Sequence, residues 1–256
     1  MGSERVQRLV FGEVAAEYDR HRPHYPGDLF DLLLDDDVDR VLDVGSGTGR
    51  AAVAIAERGR AGIAVEPSPE MGALARANLP DTWDVEQSDF ETCEAGGRFD
   101  WPLITCAQAW HWVDHEAGLA RAADLLRTGG TLALFWNRGE FVQDALRRDL
   151  DEIYDRLAPD MQSSLRGRGA SPKGQLSGIE DQPPPPGFRS VQRDELRWER
   201  TYTSEEWVGL LRTHSDHRLL APDHRAEVHD AVRAAIDAHG GSFTLPYRVE
   251  LLRFRT

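Results

Sequence analysis

The chain of 256 residues is 40% hydrophobic, enough for one sizeable α/β core with room for a small appended lobe. Asp and Glu number 44 against 30 Lys and Arg, and the net charge of −14 opposes a polyphosphate backbone, which disfavours nucleic acid as a partner. Two cysteines, Cys93 and Cys106, are too few for a disulfide framework or a four-ligand zinc site, so no metal is expected. The single lysine, Lys173, lies in a Gly/Pro/Ser-rich stretch, which leaves no plausible phosphate-loop lysine or Schiff base. No stretch approaches the roughly 20 apolar residues of a membrane span, and charge interrupts Met1 to Arg20 every few residues, so export is not expected. A cytoplasmic protein with no membrane partner, monomeric or homodimeric, is the expectation.

In chain order, Val6, Leu9, Val10, Glu13, Val14 and Tyr18 fall near helical spacing, and Arg22-Pro23-His24-Tyr25-Pro26 interrupts that pattern twice. Residues 1–38 therefore read as an N-terminal helical lid or brace. Across residues 39–137 short apolar runs alternate with helical patterns, the mark of a parallel sheet covered by helices. Strands are predicted at Arg40–Val44, Ala61–Glu66, Asp84–Glu86, Leu103–Gln108 and Thr131–Trp136. Ser68-Pro69-Glu70 supplies an N-cap, a proline at the first helical position and an acid in the first turn. Asp114 opens a helix to Arg127, which Gly129-Gly130 should stop.

Residues 138–256 form the C-terminal part, with a helical and loop-rich insertion over 138–187. Val142, Leu146, Leu150, Ile153 and Leu157 line one helical face, and Pro159 to Gly187 ends in four consecutive prolines. Val191, Leu196 and Trp198 mark a weak strand before the Thr203-Ser204-Glu205-Glu206 capping box, and Phe243 to Leu251 alternate strictly. The last two strands should pair as an antiparallel edge, closing a seven-stranded, mostly parallel sheet with helices on both faces.

The segment richest in chemistry is Val41 to Arg50, a hydrophobic strand carrying Asp43 and followed by Gly45-Ser46-Gly47-Thr48-Gly49. Glycines let a backbone turn tightly and approach a ligand without Cβ interference. Glu66 follows Gly45 at about the 20-residue spacing at which an acid ending the second strand can accept both ribose hydroxyls. Asp43 before the glycines suits a cationic ammonium or sulfonium and would oppose a pyrophosphate.

These residues resemble motif I of the class I S-adenosylmethionine (SAM)-dependent methyltransferases, and the likeness runs through most of the chain. Gly62 to Ser68 resembles that family's ribose-binding strand end, Gln87-Ser88-Asp89-Phe90 its adenine-contacting acid, and Leu125 to Leu132 its signature before the fifth strand. Ala107 to Asp114, Tyr18 to Pro26 and Leu211 to Ser215 are similar to the small-molecule subgroup around the trans-aconitate methyltransferases. Trp101-Pro102 departs from that subgroup as an insertion, so the fourth strand should begin only after Pro102.

The resemblance implies a Rossmann-like core over 39–137 and SAM as cofactor, becoming S-adenosylhomocysteine. Its contacts would be Asp43, Gly45, Ser46, Gly47, Gly49, Glu66, Pro67, Met71, Asp89, Phe90 and Ala107, with Tyr18 and Arg22 closing over it. Tyr25, Trp110, His111, Trp112 and His214 would line the acceptor side. His111 is the candidate base, with a plain pocket role as its alternative, and Trp110 and Trp112 divide between an aromatic wall and core packing. The implied activity is methyl transfer to a small-molecule carboxylate, phenol or hydroxyl oxygen. A SAM-binding protein of other function, such as a cyclase, an isomerisation-type enzyme or a sensor, shares these motifs. A nicotinamide-dependent oxidoreductase shares the ribose acid but lacks the third-glycine spacing and gains nothing from Asp43.

Overall fold

The computed structural model describes residues 15–94, 100–141, 144–161, 176 and 178–256. Val6 to Val14, Val142, Lys173 and the side chain of Tyr18 lie outside the described residues. The chain divides into two compact units. One comprises His24–Asn137, Pro172–Leu196 and Val249–Thr256, the other Met1–Pro23, Arg138–Ser171 and Arg197–Arg248.

The unit that begins at His24 opens with helix α2 (Gly27–Leu33), preceded in the chain by α1 (Ala15–His21). Four strands follow, β1 (Arg40–Val44), β2 (Ala61–Val65), β3 (Trp83–Glu86) and β4 (Trp101–Ala107), with helices α3 (Arg50–Ala56), α4 (Pro69–Asn78) and α5 (His115–Leu125) among them and after them. Strands β5 (Leu126–Gly139), β6 (Ser190–Thr203) and β7 (Ser242–Arg255) complete a seven-stranded sheet in the order β3-β2-β1-β4-β5-β7-β6. Strands β1 to β5 pair in parallel. Hydrogen bonds give the direction of the last two: Thr256 N–H donates to Gly130 O and Glu140 N–H to Pro246 O, so β7 descends as β5 rises. Arg189 N–H donates to Arg255 O, and the Thr201 and Thr244 hydroxyls meet at 2.8 Å, so β6 and β7 are antiparallel too. The mostly parallel sheet with an antiparallel C-terminal pairing is as the sequence predicts, and the order adds that β7 inserts between β5 and β6.

Buried central strands read as continuous apolar runs because both faces are covered. Leu42, Val44, Ile104, Leu132 and Leu134 are all buried in one core cluster with Trp101, Phe90 and Trp110. Burying each aliphatic side chain contributes roughly 1.5–3 kcal/mol. Ser68 caps α4 as expected, accepting the Met71 N–H, and Asp114 caps α5 through the Ala117 N–H.

Two local expectations are corrected. Strand β4 begins at Trp101, not after Pro102: Trp101 pairs with Leu126, its indole is buried, and the register is irregular between Trp101 and Leu103. Pro102 sits where that irregularity spares the ladder an N–H, as prolines in sheets do. Helix α5 ends at Leu125 rather than Arg127, because Leu126 already joins β5 and pairs with Trp101. Gly130 serves the strand instead, since a Cβ there would meet Trp101 O at 2.9 Å.

The other unit contains α6 (Ala145–Leu157), α7 (Ser204–Arg212), α8 (Ser215–Arg218) and α9 (Pro222–Ala238). Its core joins Leu146, Leu150, Ile153, Leu210, Leu211, Val228, Val232 and Ile236. Thr203 and Glu206 form the reciprocal capping box that starts α7. Within this core His217 is fully buried, its Nε2 at 3.2 Å from the Tyr154 hydroxyl and its Nδ1 at 3.1 Å from His229 Nε2. Burial, then the charges of His229 and Arg225, pushes His217 down to about 3. Burial and the nearby Arg212, Arg225 and Arg233 push His229 down to about 4.

Both imidazoles are therefore neutral in the folded chain, whereas the unfolded chain takes up protons near pH 6.5. Their contribution to stability is complete above pH 6.5 and is lost as pH falls toward 4, at up to about 1.4 kcal/mol per pH unit for each histidine. Thermal midpoints measured from pH 7 to 4.5 should fall more steeply for the wild type than for His229→Gln. Parallel profiles would remove this pair from the acid response.

Candidate functional site

In a sheet ordered 3-2-1-4-5 the chain direction of winding reverses between β1 and β4, and the crevice outside their carboxyl ends is where open α/β sheets bind ligands. The turn after β1 and the turn after β4 meet there. Gly45 has φ +61°, and a Cβ on it would lie 2.5 Å from the Ala109 Cβ, so only glycine lets the two turns touch. Gly47, at φ +59°, has open space where a Cβ would point. Gly49 caps α3 in the left-handed conformation, and its N–H donates to Ser46 O.

Glu66, at the end of β2, folds back over the glycine turn. Its Oε2 accepts the Gly47 N–H at 2.8 Å and its Oε1 the Ser68 N–H at 2.9 Å, which ties the turns after β1 and β2 together. Pro67 and Met71 follow on the same turn, Met71 buried at the start of α4.

Asp43 is fully buried, one residue before the end of β1 and opposite Thr105 in the β1–β4 register. Its Oδ1 accepts the Thr105 hydroxyl at 2.7 Å, while Oδ2 is buried with no hydrogen-bond partner among the described residues. Burial pushes its carboxyl up to about 7, the Thr105 bond lowers it, and the charge of Glu66 raises it further. Cys106 alongside is held as a neutral thiol by burial and by the charge of Asp43. The Ser46 hydroxyl is likewise buried without a partner. Two buried side-chain oxygens, one on either side of Gly45, thus lack hydrogen-bond partners among the described residues.

After β3, Asp89 is exposed, and Phe90 is buried with its ring 6.2 Å from Trp110. Arg121 pins that turn by donating to Phe90 O and Cys93 O. After β4, Ala107 ends the strand, Gln108 adopts φ +61°, and Trp110–Trp112 form one 3₁₀ turn. Trp110 takes the packing alternative of the two left open by sequence, buried against Phe90 and the face of α5 at Gly118. His111 keeps an exposed edge, with its ring 4.5 Å from that of half-buried Trp112, and desolvation by the surrounding protein holds its imidazole below 6.5. Tyr25 lies edge-on to Phe135 at 5.0 Å and to Phe30 at 6.3 Å.

All these residues belong to one unit, whereas Arg22 and His214 belong to the other. There Arg22 Nη2 donates to Thr213 O at 3.1 Å, next to His214. Burial, then the charges of Arg22 and His217, holds His214 well below its ordinary value. Sequence reading missed Thr105, Gln108 and Asn137, whose amide donates to His24 O at 2.9 Å. A lone threonine inside the apolar strand Leu103-Ile104-Thr105-Cys106 was the one available signal. Among the described residues, no group of three or more His, Cys, Asp or Glu side chains could hold a metal ion, and no helix is long and apolar enough to cross a membrane.

Because the carboxyl of Asp43 is raised from 3.8 to about 7, its contribution favours the fold below pH 3.8 and is lost as pH rises to 7. The loss is bounded by about 4 kcal/mol. Asp43→Asn keeps an acceptor for Thr105, so the ligand-free variant should be more stable than wild type at pH 8, with most of the advantage gone by pH 4.5. Scanning calorimetry at the two pH values reads this, and equal stabilities at pH 8 would mean that the buried charge costs nothing.

A family described as a methyltransferase domain matches residues 41–130, from β1 into β5. Over 251 residues the chain is 33% identical to an uncharacterized methyltransferase of Mycobacterium tuberculosis (strain H37Rv), Rv3342, covering 96% of this chain and 95% of that one. It is 25% identical over 239 residues to a methyltransferase-like protein of Schizosaccharomyces pombe, covering 89% of this chain and 86% of that one. Among solved structures, one assigned as a type II methyltransferase from Anaeromyxobacter dehalogenans matches with a TM-score of 0.67 at 24% identity, over 91% of this chain and 97% of that one, which is a likeness of fold. With a third of the sequence shared along almost the whole of both chains, the protein belongs to the class I SAM-dependent methyltransferases.

Proposed function

We propose that this methyltransferase acts on a small molecule, through an oxygen of carboxylate, phenol or hydroxyl type, and that His111 and Trp112 face that acceptor. The observation that carries the reading is the pairing of exposed His111 with half-buried Trp112 at the carboxyl end of β4, beside the glycine turn at the switch point. The similarity of Ala107 to Asp114 to small-molecule methyltransferases supports it, as does the net charge of −14, which disfavours nucleic acid.

The residues present fit the cofactor of the family. Asp43 Oδ2 and the Ser46 hydroxyl are buried and unsatisfied, and Gly47 leaves room above the turn. We assign Asp43, Gly45, Ser46, Gly47 and Gly49 to the methionine portion, Glu66 with Pro67 and Met71 to the ribose, and Asp89 with Phe90 and Ala107 to the adenine side. SAM supplies an electrophilic methyl group on a sulfonium. The chain's own part is alignment and exclusion of water, since charge is cancelled in such a displacement. A carboxylate acceptor is already ionised near pH 7 and needs no base. A phenol or alcohol must release its proton as its oxygen takes the methyl group, and the neutral imidazole of His111 is the group we assign to receive it.

Calorimetry should show S-adenosylhomocysteine binding in the micromolar range, with little response to NAD. Glu66→Ala should weaken that binding by about 1.5–3 kcal/mol, roughly 10- to 150-fold, because charge-assisted hydrogen bonds are lost along with the tie between two turns. Unchanged affinity would take Glu66 out of the site. Against a panel of small carboxylates and phenols, His111→Ala should lower turnover while leaving S-adenosylhomocysteine affinity nearly constant. Robust methyl labelling of RNA in place of every small acceptor would overturn the proposal.

A further inference from the structure

Gln108 is the one described non-glycine residue with a positive φ, at +61°. A left-handed glutamine has no local hydrogen bond to offset its steric cost, so the surrounding structure must hold it there. Two contacts do so. Its N–H donates to Phe135 O at 2.9 Å, and its side-chain Nε2 donates to the backbone carbonyl of Asn137 at 3.0 Å, so the residue after β4 grips β5 twice. The chain then reverses directly into the 3₁₀ turn of Trp110–Trp112, with Ala109 seated on Gly45.

Asn137 extends the grip. Its side chain donates to His24 O at 2.9 Å, and His24 Nδ1 in turn lies 3.3 Å from Arg50 Nη1 at the start of α3. One line of polar contacts thus runs from the β4 turn through the end of β5 to His24 and the helix that follows the glycine turn. The backbone carbonyl and the side chain of Asn137 have separate tasks in it, the first toward Gln108 and the second toward His24.

We propose that Gln108 is a positioning residue, whose side-chain amide clasps the end of β5 and so fixes the left-handed turn that presents His111 and Trp112 at the switch point. Its importance for catalysis rests on the acceptor-side reading of His111, but the clasp does not. Because the His111 ring lies 4.5 Å from that of Trp112, its NMR signal reports the shape of the turn.

The test uses the full chain with carbon-13-labelled histidine, the His111 ring signal being assigned by its absence in His111→Ala. Gln108→Glu keeps length and shape but removes the donor, and Gln108→Gly keeps the left-handed backbone but removes the side chain. Both should move the His111 signal by more than a linewidth while the far-ultraviolet circular dichroism shows the fold retained. Asn137→Ala retains the carbonyl that Gln108 uses and should leave the signal in place. A His111 signal unmoved in Gln108→Glu, or moved equally far in Asn137→Ala, would overturn the clasp. Should the glycine variant fail to fold, the isosteric glutamate variant decides alone. Wild-type affinity for S-adenosylhomocysteine, measured on the same samples, separates failure of this proposal from failure of the cofactor assignment.

Discussion

The half-satisfied carboxylate of Asp43 is the constraint around which the start of the glycine turn is organised. Placing an acid in a fully covered central strand opposes folding, and one hydrogen bond from Thr105 offsets only part of that cost. Such a position favours a positive charge beside it over a negative one, which is the use the proposed cofactor site makes of it. The parallel register sets Thr105 across from Asp43, so one hydroxyl holds one oxygen and leaves the other available. Glu66 adds a second negative charge nearby and so strengthens the preference.

Geometry then follows from the winding of the sheet. The reversal between β1 and β4 opens the crevice, and the absence of a Cβ at Gly45 lets the turn carrying Ala109 close against the glycine turn. Glu66 fastens the turn after β2 to the same place through two backbone N–H groups. On the proposed assignment, cofactor and acceptor residues are held by separate strands whose carboxyl ends share one edge, an arrangement that lets one fold serve many acceptors.

Much of this was legible in sequence, and the limits have identifiable causes. Caps are local, and Ser68, Asp114 and Thr203 all act where their residue types and spacing place them. Glycine pairs are ambiguous: Gly129-Gly130 reads as a helix stop, yet helix α5 has already ended, and Gly130 answers a close approach by Trp101 O from a neighbouring strand. Pro102 suggests a boundary only until the buried Trp101 indole before it is seen to draw the strand back. Gln108 gives no sequence signal at all, because its conformation is imposed by carbonyls of Phe135 and Asn137, far along the chain.

Strand β6, last in the described sheet order, is 14 residues long, and an edge of that length offers a template for pairing with another chain. Its sequence sets charges along that edge: Arg193 forks onto Glu180, Asp194 pairs with Arg253, and Arg197 reaches Glu140. An incoming strand would have to strip or match these ion pairs before its backbone could dock. Side-chain charge thus guards the edge, and its resistance to amyloid-like stacking should depend on ionic strength, since salt screens partly exposed charges.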